Sequence, residues 1–146
     1  MRDLQRGELW TVVHQGRCDH DVVAGTWIDA YTSEQLTFTN LKDGAQASAI
    51  PIDHVVALAS AWRYGASGWT ADRRLEFTND LDNLQPTSRS VNSAKGGKDA
   101  AAWRPKRAFQ CAYATSYVGI KAKYNLPVDQ SEKSALQDMI HTCAGS

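Results

Sequence analysis

The sequence predicts an α+β fold in which antiparallel strands come first and helices last. Two features predict it. The first third is built of short β-branched and aromatic runs broken by Gly, Asp and Ser, while the last third repeats apolar residues at helical spacing. The length fits one domain, so 1–146 is expected to fold as a single unit around one core.

In chain order, "ELWTVVH" (8–14), "DVVAGTW" (21–27) and "QLTFTN" (35–40) read as strands. "SAIPIDH" (48–54) continues that character, with Pro51 suited to a sheet edge. "VVALASAWRYG" (55–65) reads as a helix with Gly65 just past its end, and "TADRRLEFTND" (70–80) as a short helix capped by Thr70. "NLQPTS" (83–88) is an extended segment and turn. A short helix opened by Ser88 and stopped at Gly96-Gly97 follows over 88–99. "KRAFQCAYATSYVGIKAKY" (106–124) places Phe109, Ala112, Tyr113, Tyr117 and Ile120 on one helical face. Asp129 and Glu132 form a capping box for a last helix carrying Leu136, Ile140 and Cys143. Trp62, Trp69 and Trp103 are expected in the core.

Sixteen basic and sixteen acidic residues cancel, so no global field draws the chain to nucleic acid or an anionic membrane. Locally, Arg89, Lys95, Lys98, Arg104, Lys106 and Arg107 are opposed only by Asp99, which reads as a solvated face or a binding patch. No apolar run reaches membrane-spanning length and "MRDLQRGELW" lacks a signal peptide's apolar centre, so the chain as written reads as soluble, with no membrane partner. Of three cysteines, Cys111 and Cys143 are the natural pair, each lying in a candidate C-terminal helix. A secreted protein would use that disulfide; a cytosolic one could carry both as small buried thiols. A rival arrangement joins Cys18-x-His20 to His141-x-Cys143 as a zinc site.

"IDHVVAL" (52–58) sets two titratable groups, Asp53 and His54, at the head of an apolar run. Burying either without a partner costs free energy, so the stretch calls for a hydrogen-bond network or a metal. Downstream, Asp82-Asn83 opens an extended segment, Asn92 follows nine positions later on a helix, and Lys95 lies three further. This order resembles the His-Asn-His (HNH, ββα-metal) nucleases, including the HNH domain of RNA-guided CRISPR effector nucleases. Over the whole chain the similarity is greatest to small actinobacterial HNH endonucleases that share the C-terminal nuclease module of GmrSD-type restriction enzymes. It runs through "GTWIDAYTS", "IDHVVALASAW", "GWTADRRLEFTNDLDNL", "NSAKGGKDAAAWRP", "CAYATSYVGIKAKYNL" and Cys143, with a ββα-metal core at about 48–99.

The resemblance implies a metal-dependent endonuclease acting on DNA, or on RNA, with little sequence preference. It makes Asp53 and Asn92 ligands of one divalent ion, His54 the general base, and Asn83 the residue whose amide ties the loop that orients His54. Asparagine in place of the motif's second histidine favours Mg²⁺ or Mn²⁺ over Zn²⁺. Arg73, Arg74, Lys95 and Lys98 are the expected phosphate contacts. An extracellular setting is implied as well, with a cytoplasmic one still open. The alternative function is a catalytically silent nucleic-acid-binding or assembly module that keeps the fold.

Overall fold

The computed structural model describes residues 11–14, 22–40 and 42–144. The predicted beginnings of the first two strands, and Cys18 and His20, lie outside them. The chain forms two compact units, Met1–Asp53 with Gln85–Ala94 and His54–Leu84 with Lys95–Ser146.

In the first unit β1 (Thr11–His14), β2 (Val22–Ile28) and β3 (Gln35–Phe38) form an antiparallel sheet in that order. The β2–β3 register runs from Gly25 opposite Phe38 to Ile28 opposite Gln35. It sets Trp27 diagonal to Phe38, and their rings meet edge to face at 5.1 Å with Ile50 and Leu36 packed beside them. The β2–β3 loop is fixed by buried Asp29, whose carboxylate accepts from the Tyr31 N–H (2.7 Å), the Thr87 hydroxyl (2.6 Å) and the Ser88 N–H (3.0 Å).

The strand expected over 48–54 is corrected. Gly44–Ala49 is a helix, α1, and only Ile52–His54 is extended, as β4. Asp43 caps α1 through the Ala45 N–H, and the Gln46 side chain accepts from the backbone of Thr39 and Asn40, local bonds that outweigh a β-leaning composition.

The second unit holds α2 (Leu58–Arg63), a 3₁₀ turn (Ala66–Gly68), α3 (Ala71–Asn79) and a further 3₁₀ turn (Leu81–Asn83); later in the chain come α5 (Arg107–Lys123) and α6 (Gln130–Ile140). β4 pairs with β5 (Leu84–Pro86), and α4 (Arg89–Lys95) follows, giving the strand, strand, helix order of the expected core. Thr70 caps α3 and Asp129 caps α6, as the sequence predicts. The core joins Trp69, Phe77 and Tyr124 as an aromatic cluster with Tyr113, Tyr117, Ile120, Leu136 and Met139. Inside it, Lys121 and Glu132 form a buried ion pair at 2.9 Å. Trp62 departs from expectation: it is 53% exposed on α2.

Cys111 and Cys143 are disulfide-bonded, fastening α5 to the C-terminal turn His141–Ala144. That commits Cys143 elsewhere than the rival zinc site, and among the described residues no three His, Cys, Asp or Glu gather as a metal cluster. Closing a loop of sequence separation 32 is worth roughly 3–4 kcal/mol in the chain-entropy model. Reduction is therefore expected to lower the urea midpoint by a matching amount, and an unchanged midpoint with both thiols shown free would contradict it.

Candidate active site

His54 ends β4, half-buried. Its Nε2 lies 2.9 Å from the Thr78 carbonyl oxygen on the last turn of α3. A carbonyl only accepts, so Nε2 is the donor, and in the neutral ring Nδ1 is the acceptor. Thr78 had no signal in the sequence, since a backbone carbonyl is the same in every residue.

Asn83 is fully buried and clamps the chain just after His54. Its Oδ1 accepts from the Val56 N–H (2.8 Å), its Nδ2 donates to the Val56 carbonyl (3.3 Å), and its own carbonyl accepts from the Val55 N–H (2.8 Å). These bonds hold 55–57 out of the helix predicted to begin there, so α2 starts only at Leu58. The Asn83 N–H in turn donates to the Asp80 carbonyl. Burial pushes the Asp80 carboxyl up, but the Lys123 ammonium at 2.7 Å and the Tyr124 hydroxyl hold it below the usual carboxylate range. Asn83→Ala would leave both Val56 groups unsatisfied, and is expected to cost about 1–3 kcal/mol for each, read as a lower urea midpoint. A loss under 0.5 kcal/mol (the ~±0.5 spread of neutral surface changes) would contradict that role.

Lys95 corrects an expectation. It is fully buried, and its ammonium donates to the His54 carbonyl at 2.6 Å beside the Trp103 ring, so it fixes the backbone of His54 and is not a surface phosphate contact. The turn after it is close-packed: a Cβ on Gly97 would lie 2.9 Å from the Ala59 Cβ, which only glycine avoids. Arg73 lies over the Trp69 and Tyr124 rings, at 5.1 and 5.7 Å, and donates to the Tyr124 carbonyl. Arg74 gives Nη1 to the Trp69 carbonyl (2.7 Å). Both arginines thus have structural tasks within the second unit, whereas Lys98 is exposed.

The two expected metal ligands belong to the first unit. Asp53 precedes His54 in β4 and is buried, its Oδ2 accepting from the buried Tyr31 hydroxyl at 2.9 Å. Asn92 is half-buried on α4, its N–H bonded to the Ser88 carbonyl. The Asp29 bonds to Tyr31, Thr87 and Ser88 therefore organise both the loop that reaches Asp53 and the start of the helix that carries Asn92.

A family described as the C-terminal domain of GmrSD restriction endonucleases matches residues 8–139. The chain belongs to that family. Membership places it among nuclease-type domains. A protein of Arthroderma benhamiae named "Uncharacterized secreted protein" is 37% identical over 123 residues, covering 82% of this chain. The chain spans 56% of that relative's length. No solved structure matches. In this GmrSD_C chain no helix among the described residues is long and apolar enough to cross a membrane.

Proposed function

We propose that this chain is a divalent-metal-dependent endonuclease that hydrolyses DNA phosphodiester bonds with low sequence specificity. The observation that carries the reading is the His54 ring: Nε2–H is committed to the Thr78 carbonyl, which leaves Nδ1 as the acceptor. In that tautomer Nδ1 takes the proton of the attacking water, and the Thr78 carbonyl stabilises the imidazolium that results. Lys95 holds the carbonyl of His54 and Asn83 the two residues after it, so the ring's backbone need not reorganise as charge develops.

Asp53 and Asn92 would hold the ion. The donor set is all oxygen, and the Asp53 carboxylate already accepts an orienting hydroxyl from Tyr31, as ligating carboxylates do, so the residues fit a hard cation such as Mg²⁺ or Mn²⁺. When bound, such an ion neutralises charge on the phosphoryl oxygens and favours departure of the alkoxide. The family resemblance implies a 5′-phosphate and a 3′-hydroxyl as products. An extracellular setting is supported by the disulfide and by the name of the secreted relative.

Calorimetric titration with Mn²⁺ tests the ligand assignment. Asp53→Ala and Asn92→Ala are each expected to weaken binding by more than about 10-fold, since even an outer-shell partner is worth that much. Unchanged affinity in both variants, with the fold intact by circular dichroism, would overturn it.

A further inference from the structure

We infer that a cleft beside His54, within the second unit, receives one unstacked nucleobase of the substrate strand. This rests on the endonuclease reading and extends it to the form of substrate. The cleft has a volume of about 200 Å³ and is lined by Leu58, Trp62, Trp69, Arg74, Phe77 and Thr78 among others. That is below the size usual for drug-like ligands and suits a single planar ring system.

Three observations identify the occupant. First, Leu58 and Trp62, four residues apart on one face of α2, are 44% and 53% exposed, leaving an aromatic and an aliphatic wall open to a planar apolar partner. Second, the cleft carries positive charge. The Arg74 guanidinium lies 5.7 Å from the Trp62 ring centroid, anchored through Nη1 alone to the Trp69 and Ser67 carbonyls. Its Nε and Nη2 have no hydrogen bond among the described residues and can donate to a base edge or a flanking phosphate. Third, the cleft adjoins the reacting centre. Thr78 lines it, and the carbonyl of the same residue accepts from His54 Nε2.

An indole, a guanidinium and an apolar floor are the components with which proteins bind single-stranded bases by stacking. A paired, stacked base cannot enter such a cleft. Single-stranded or mismatched sites are therefore cut in preference to perfect duplex, the unpairing cost being lowest there.

The test uses short single-stranded oligonucleotides and their perfect duplexes, with Trp62→Ala and Trp62→Phe variants. Trp62→Ala is expected to weaken single-strand binding by roughly 5- to 150-fold, with Trp62→Phe retaining most of it. An abasic substitution at one position beside the cut should reproduce that loss in the wild type and add little to Trp62→Ala. Cleavage that ignores abasic sites at every position near the cut, with Trp62→Ala binding as the wild type does, would overturn the cleft and leave the endonuclease reading standing. Trp62-dependent base binding without cleavage of any oligonucleotide would do the reverse. A dimer in sedimentation that Trp62→Ala dissolves would assign the cleft to a second copy of the chain and overturn the inference.

Discussion

His54→Ala is expected to lower the rate of DNA cleavage by about 100- to 10 000-fold, the range usual for a positioned general base. DNA affinity and fold should survive, because the ring is half-buried and its hydrogen bond among the described residues is the one to the Thr78 carbonyl, whose loss costs on the order of 1 kcal/mol. Asn83 and Lys95 secure the backbone around position 54 without the ring, so the substitution removes the base and little else. Steady-state cleavage, filter binding and thermal melting on one preparation separate these effects. A His54→Ala enzyme that still cleaves at the wild-type rate would exclude His54 as the base.

Glu132→Ala is expected to destabilise the fold strongly, by about 3–5 kcal/mol. Its carboxylate is fully buried and is shared between the Tyr117 hydroxyl and the Lys121 ammonium. Without it, Lys121 would keep the Pro127 carbonyl, the Tyr64 and Tyr117 rings, 3.5 and 5.7 Å from its ammonium, and the more distant Asp99 and Asp129 carboxylates, but no carboxylate in direct contact. Burial already holds the Lys121 ammonium below the usual lysine pKa even with Glu132 beside it. The variant lowers it further. A lysine whose folded pKa lies below its unfolded one destabilises the fold fully below the folded value, and the penalty fades as pH rises from the folded to the unfolded value. The deficit in Glu132→Ala should therefore shrink as pH is raised from 7 towards the unfolded lysine value of about 10.4, whereas Glu132→Gln should lose less at every pH. Equal urea midpoints for wild type and Glu132→Ala at pH 7 would contradict the role given to the pair.

What the sequence made legible follows from how local each signal is. Thr70 and Asp129 announce their helices because an N-cap acts on residues two or three away. The Cys111–Cys143 pair is legible because both fall in the C-terminal third, although Cys143 lies in the turn after α6 and not in the helix expected to carry it. Asp53, His54, Asn83 and Asn92 were legible only as an ordered motif, through resemblance. What decides their environment is long-range: Tyr31 reaches Asp53 across 22 residues, Thr78 reaches His54 across 24, and Lys95 reaches the His54 carbonyl across 41. The late start of α2 has the same origin, since residues 55–57, read from the sequence as the start of a helix, are held in a bend by Asn83. Lys95 and Trp62 exchanged the places expected of them, the lysine inside and the tryptophan half outside. The lysine's ammonium is bonded to the His54 carbonyl, and the tryptophan lines an open cleft beside Arg74, neither of which local sequence shows.

The most direct test of the central claim is plasmid nicking by the purified wild-type chain, first in EDTA and then with Mg²⁺, Mn²⁺ or Zn²⁺ restored. The expected result is no nicking in EDTA and recovery with Mg²⁺ or Mn²⁺, the ions suited to the oxygen donors of Asp53 and Asn92. Nicking that persists in EDTA, or none with any ion while DNA is still bound, would contradict it.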